Sequence, residues 1–327
     1  MKVKKEYIIL ILVIVGLIFY LTMKSTNDHG SELPRLAKVD NAKINRIVIS
    51  QKGREALTLA KKDEKWFVDP QGYPADSVKV RNMANTIADL TLTALVSESG
   101  SYERYGLSGE KKITVEAFAD GDAVRNFDIG EAAPTSQHTF VLLKGDTNVY
   151  HARGHLKRTF EHTIDDLRDK TVFDLSRESI TEIALQKGER ILQLTKTELP
   201  PKATESAEEK PETATPPSKP KIEWRDAKDQ IVDKGIVDRL LGSISRMNCD
   251  GYMEDSAKAG LKAATWTITL KDDQGEHAIS VYVPDRPEAE KIPATATANP
   301  YPFVLNKGRV ESLEKSIDKL LGIEEKN

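Results

Sequence analysis

The sequence predicts an α+β chain: one N-terminal transmembrane helix followed by two tandem α+β repeats, each a β-hairpin, a helix and further antiparallel strands. Two observations predict it. Between Glu6 and Lys24 lie 17 consecutive uncharged residues, Tyr7 to Met23, almost all aliphatic or aromatic. Residues 44–61 then reappear, with one residue skipped, at 180–196. Ile44, Ile47, Gln51, Lys52, Gly53, Leu57, Leu59 and Lys61 meet identical residues at Ile180, Ile183, Gln186, Lys187, Gly188, Leu192, Leu194 and Lys196. A length of 327 residues has room for two domains of ordinary size.

As a helix, Tyr7 to Met23 spans about 25 Å, within reach of a bilayer core once flanking lysines snorkel. The run is longer than the apolar part of a signal peptide, and neither a small-x-small cleavage site nor a lipid-carrying cysteine follows Met23-Lys24-Ser25-Thr26. Lys2, Lys4 and Lys5 precede it and Lys24 follows. The positive-inside bias therefore puts residue 1 in the cytoplasm and the bulk of the chain on the periplasmic or extracytoplasmic side of the cytoplasmic membrane, single-pass. The expected organisation is a cytoplasmic tip and anchor at 1–24, a juxtamembrane linker at 25–43, a first repeat at 44–170, a connection at 171–179 and a second repeat at 180–323.

Each repeat opens with period-two alternation, Ile47-x-Ile49 and Leu57-x-Leu59 around a Lys-Gly turn, the signature of a hairpin with one buried face. A tryptophan closes the hairpin region, Trp66 or Trp224. Asp76 and Asp233 stand as N-caps before helices whose apolar stripes are Val80, Met83, Ile87, Leu90 and Val237, Leu240, Ile244, Met247. Next come Tyr105-Gly106-Leu107 and Ala259-Gly260-Leu261, then strand pairs turning at Asp120-Gly121 and at Asp272 to Gly275. Each repeat ends on a Phe-Val-Leu strand, at 140–142 and 303–305. The second repeat carries a proline-rich insertion at 198–221 that lacks aromatic residues and reads as a disordered loop. By the repeat alignment it sits between strands ending near Thr195 and beginning near Ile222, inside the second unit.

Residues 1–24 carry four bases and one acid, which leaves 44 bases against 50 acids for the rest, the wrong sign for a nucleic-acid binder. The single cysteine, Cys249, excludes an intramolecular disulfide and a multi-cysteine metal site. His151 and His155 are four apart, with His162 seven further on. On a helix the first pair would share a face. Their neighbours are basic, however, and the segment reads as an exposed helix with surface histidines and an acidic turn. Ser108 to Lys111 and Ser316 to Lys319 match Ser-x-x-Lys without the companion motifs of a serine acyltransferase. Asp165-Asp166 and Asp272-Asp273 read as cap and turn residues, Cys249 as structural, and Trp66 and Trp224 as core or interface. Thus no catalytic, cofactor-binding or metal-ligating residue, and no cofactor, is expected.

The Ile44-x-x-Ile47-x-Ile49 strand, the Leu57-x-Leu59-x-Lys61 to Trp66 hairpin, Tyr73-Pro74-Ala75-Asp76, Tyr105-Gly106-Leu107 and Ile129-Gly130 together resemble the domain-of-unknown-function 4340 family. The likeness covers essentially everything after residue 40. It includes Leu167-Arg168-Asp169-Lys170 with Val172-Phe173 at the passage between repeats. The second repeat departs from the pattern: Asp233 lacks the Tyr-Pro-Ala lead, Ala259 replaces Tyr105 and Pro284 replaces Gly130. The resemblance implies a bacterial, membrane-anchored protein, similar to components associated with gliding-motility-type ABC transporters, and it brings no catalytic residues. The function expected is that of a non-enzymatic accessory protein at the membrane with ABC transporter subunits as partners and no nucleic acid. The alternative is an envelope glycan- or peptide-binding receptor or hydrolase.

Overall fold

A computed structural model describes residues 12–20, 33–135, 137–199, 221–286 and 288–323. The chain divides into two compact units, Met1–Asp169 and Lys170–Asn327.

The predicted fold class needs correcting. The described chain is mostly β, 43% strand against 26% helix, laid out in large antiparallel sheets. The first unit has one helix of three turns on a nine-stranded sheet and the second has one of three turns and one of nearly four, and many strands are too short or too irregular in polarity to show a period of two. Nor does any helix among the described residues have the length and apolarity to cross a membrane. Helix α1 spans residues 12–20. At 1.5 Å per residue that covers about 14 Å, half a bilayer core. The remainder of the expected transmembrane helix, residues 7–11 and 21–23, lies outside the described residues.

In the first unit the hairpin strands β1 (Arg46–Gln51) and β2 (Leu57–Lys62) are followed by β3 (Lys65–Asp69) and β4 (Tyr73–Pro74). Helix α2 (Ser77–Ala88) starts at Asp76, whose carboxylate accepts from the Val78 and Lys79 amides, and buries Val80, Met83, Ala84 and Ile87. Then come β5 (Leu92–Ser97), a 3-10 turn at Tyr102–Tyr105, β6 (Ile113–Ala119), β7 (Asp122–Ala132), β8 (His138–Leu143), β9 (Val149–Arg153), α3 (Leu156–Phe160) and α4 (Ile164–Leu167).

The second unit begins with β10 (Thr171–Asp174) and repeats the plan: β11 (Glu182–Lys187), β12 (Arg190–Leu199), β13 (Lys221–Asp226) and β14 (Ile231–Val232). Helix α5 (Lys234–Ile244) is capped by Asp233 and buries Val237, Leu240, Leu241 and Ile244. After it run β15 (Arg246–Asn248), β16 (Gly251–Tyr252), a 3-10 turn at Asp255–Gly260, β17 (Ala264–Lys271), β18 (Glu276–Tyr282), β19 (Lys291–Ala296), β20 (Asn299–Asn306) and α6 (Lys307–Leu320).

The two sheets share one topology. The first is ordered β4-β3-β2-β1-β6-β7-β8-β9-β5 and the second β14-β13-β12-β11-β17-β18-β19-β20-β16. Register aligns them residue by residue. Ile47 faces Ala117 as Ile183 faces Leu270, and Ile49 faces Val115 as Leu185 faces Ile268. Each sheet buries one face in its own core, with the helix stripes of α2 or α5 packed on it. In the first unit Leu33, Leu36 and Val39 also pack on that core, and Arg125 Nη2 donates to the Ala37 carbonyl at 2.7 Å. Part of the expected linker is therefore bound to the body as a strap.

Strands β12 and β13 pair from Leu194↔Asp226 to Leu199↔Lys221. Of the insertion expected at 198–221, Glu198, Leu199 and Lys221 belong to these strands, and residues 200–220 lie outside the described residues. Replacing 200–220 by a short Gly-containing turn should preserve folding. The flanking strands are already neighbours, and halving a flexible loop changes its closure cost by only about 0.6 kcal/mol. A melting temperature close to wild type is the expected result, and a shortened chain that does not fold would refute it.

Candidate functional site

The candidate site lies in the second unit, at the end of β18, and arises from a difference between two equivalent places. In the first unit the 102–107 segment closes down on the outer face of the sheet. Leu107, Ala133, Phe140 and Val149 form a small second core there, with Tyr102 and Tyr105 against it. The Tyr105 and Phe140 rings are 4.9 Å apart. Gly130 permits this closure, since a Cβ at that position would lie 2.2 Å from the Tyr105 carbonyl oxygen.

In the second unit the register puts Tyr282 after Val281 as Gly130 follows Ile129. The equivalent of Gly130 is thus a tyrosine, not the Pro284 that sequence spacing matched to it. The Tyr282 hydroxyl shares a hydrogen bond with Thr295 on the outer face, at 3.0 Å. With a side chain in that place the 255–261 segment settles against β20 instead, where Lys258 Nζ donates to the Pro300 carbonyl at 3.0 Å. What remains is a cleft of about 670 Å³ lined by Met253, Ala257, Leu261, Tyr282, Val283 and Pro293, with Lys262 and Asp285 at its edge. Val283 is 73% exposed. Among the described cavities this size suits a ligand or an inserted segment of a partner.

Next to this cleft, and sharing Tyr282, Val283 and Pro284 with it, is an open pocket of about 250 Å³, with Thr265, Trp266, Val281, Ile292 and Val310 in its walls and Lys307, Glu311 and Glu314 from α6 around it. Trp266 pairs with Lys187 as Ile113 pairs with Gln51, so the second unit carries an indole where the first carries an isoleucine. Lys187 ties β11 to α6 through Glu314 at 2.8 Å and Asp318 at 2.6 Å. Burial disfavours its charge, but these two carboxylates more than compensate and hold its pKa above the usual lysine value.

The residues singled out in the sequence do not assemble with one another. His151 lies on β9, its ring stacked on His138 at 5.6 Å, whereas His155 is the exposed N-cap of α3. The expected exposed helix is instead strand β9 and then a short α3 whose Leu156 and Phe160 are buried, because those two side chains complete the first core. Among the described residues no cluster of three metal-ligating side chains is found. Ser108 precedes a 3-10 turn at Gly109–Lys111, where Lys111 reaches Glu131 at 3.7 Å. The Ser316 hydroxyl is committed to the Ser312 carbonyl within α6. Asp166 forms a capping box with Thr163, and Asp272 holds its turn through the Gln274 and Gly275 amides and meets His277 Nε2 at 3.1 Å. Cys249 is buried. Trp224 is core, and Trp66 is half-buried at the core's edge.

Burial pushes the His151 imidazole below the usual histidine range, and the neighbouring His138 adds to it. Burial likewise lowers His162, outweighing the attraction of Asp166. The unfolded chain then binds more protons than the folded one as pH falls through about 6.5, so the first unit loses stability on the acid side of that value. Melting temperatures taken from pH 7.5 to 5.5 should decline, and His151→Gln with His162→Gln should flatten the decline. A slope identical in the double variant would count against this assignment.

Fold and site together define a duplicated antiparallel-sheet protein in which one copy is closed and the other keeps an open, largely apolar cleft. A family model described as a domain of unknown function, DUF4340, matches residues 66–264, more than half of the chain, and the chain belongs to this family. The match runs from β3 of the first unit to the start of β17 in the second. No curated protein and no solved structure matches the chain.

Proposed function

We propose that the chain is a non-enzymatic accessory protein of the bacterial envelope, held at the cytoplasmic membrane through its apolar N-terminal segment with both sheet units on the extracytoplasmic side. The partner we propose is an extracytoplasmic segment of an ABC transporter complex, received by the outer-face cleft of the second unit. The observation that carries this reading is the cleft itself. A duplicated fold closes the outer face in one copy and opens it in the other, with Tyr282 in place of Gly130 and the exposed Val283 at its rim. A mostly apolar cleft with a charged edge is the ordinary composition of a protein-binding surface. A second reading, an envelope glycan- or peptide-binding receptor, draws on the same cleft, whose volume also suits a small ligand.

The test is site-specific photo-crosslinking in intact cells. A crosslinker at Val283 should capture a membrane-embedded transporter subunit, and one at the also exposed Ile231, on the edge strand β14, should not. Equal capture at both positions, or capture of soluble cytoplasmic proteins alone, would overturn the reading. In spheroplasts, added protease should reach the second unit; full protection with the membrane intact would overturn the proposed location.

A further inference from the structure

We propose that the first unit carries a binding site for a guanidinium group, the arginine side chain of a partner segment, at the C-terminal end of α2. The second unit supplies the template. Helix α5 has no basic residue in its own last turn, yet two arginines from elsewhere in the unit serve its end. Arg177 donates to the Gly242 carbonyl through Nη2 and to Ser245 Oγ through Nε, each at 3.4 Å. Arg309, in the first turn of α6, donates to the Asn248 carbonyl and stands 3.9 Å from the Asp250 carboxylate. Cations are favoured at that end of a helix, because its last carbonyls have no donors within the helix.

Helix α2 also lacks a basic residue in its last turn, and in the first unit neither arginine has a basic counterpart. The matching helix stripes set Asn85 at the place of Gly242 and Thr91 at that of Asn248. Strand register sets Tyr150 at the place of Phe303, and hence Leu156 at that of Arg309. Leu156 is buried in the first core, and Asn41, at the place of Arg177, bonds the Asn85 side chain at 2.6 Å. The space that Arg309 fills is thus left open as a pocket of about 310 Å³, with Asn85, Thr86, Asp89, Thr91 and Thr159 in its walls. Asp89 is exposed at the C-cap of α2 and has no ion-pair partner among the described residues. Its counterpart is Arg246, so the charge at this rim is reversed between the copies. Arg153 and His155 border the pocket as well. Strand β9 turns Tyr150 and Ala152 into the core, however, which directs Arg153 to the outer face. A guanidinium has five N–H donors in one plane and can serve a carboxylate and helix-end carbonyls together, which an ammonium point charge does less well. The site is independent of the accessory role and of the outer-face cleft.

The experiment uses the full chain in lipid nanodiscs, labelled with ¹⁵N-threonine. Single serine replacements assign the amide signals of Thr86, Thr91 and Thr159. N-acetyl-arginine methylamide should move these signals and saturate. The citrulline analogue, of the same shape without the charge, should bind at least about tenfold more weakly. Asp89→Asn, at an exposed position, should weaken the arginine probe about fivefold, the upper range for an exposed ion pair. Threonine signals that stay still, a citrulline analogue that binds equally, or an affinity unchanged by Asp89→Asn overturns the proposal. Free arginine binding more tightly than the blocked probe overturns the peptide source and makes the amino acid itself the ligand.

Discussion

Gly106→Ala should lower the melting temperature of the first unit by roughly 10 °C, while Gly260→Ala, its sequence counterpart in the second, should leave melting unchanged or slightly raised. Gly106 has φ +66°, and a Cβ there would meet Glu131 Cγ at 2.6 Å and the Glu131 backbone nitrogen at 3.0 Å. The side chain can swing away; the backbone nitrogen cannot, and the left-handed conformation remains. Together the strain and the overpacking cost about 3 kcal/mol, at a few degrees per kcal/mol for a unit of this size. Gly260 ends a 3-10 turn beside the open cleft, and a Cβ there has nothing within 4 Å. Alanine at such a position restricts mainly the unfolded chain and can stabilise by about 0.5 kcal/mol. Equal losses at both sites would mean that the second unit closes as the first does, and the cleft would have no basis.

The two hairpin tryptophans should separate in the same way. Trp66 stands opposite Lys61 and Trp224 opposite Lys196, the same place in each sheet. Trp224 is nevertheless 2% exposed and part of the second core, and Trp66 only leans on the first. Trp224→Ala should cost about 4 kcal/mol, the usual penalty for emptying a buried aromatic site. Trp66→Ala should cost about 1 to 2 kcal/mol, in proportion to its smaller burial. Denaturant unfolding of the two variants, with midpoints compared at constant slope, decides the matter. Similar shifts would show that Trp66 is as structural as its counterpart.

Much of the fold could be read from residue patterns wherever burial imposes a period. Ile47-x-Ile49, Leu57-x-Leu59 and their copies became β1, β2, β11 and β12, and Asp76 and Asp233 cap the helices whose stripes they introduce. The mostly-β class could not be read so. Strands β4, β14 and β16 are two residues long, and β5 is half-buried at every position, so neither shows alternation. Leu156 and Phe160 are core residues within a segment of bases and histidines whose composition suggests a solvated helix. The site was still less legible, because it consists of a missing contact and not of a motif. Matching Gly130 to Tyr282 requires strand register, which the β6–β7 bulge at Ala117 and Phe118 and the shorter lead from Leu261 to Trp266 than from Leu107 to Ile113 displace from sequence spacing. One signal was in plain view: Trp266 is the third tryptophan and has no partner in the first repeat.

The strap at 33–39 turns the first unit into a loaded joint. Residues 24–32 separate the apolar run that ends at Met23 from Leu33, a contour of at most about 30 Å. A pull along that tether reaches Leu33, Leu36 and Val39 and the Arg125–Ala37 hydrogen bond before it reaches β1. The force then acts as shear across several side chains at once, not as peeling of an edge strand. A load from the N-terminal side would thus be taken up by the first core and not by a sheet edge.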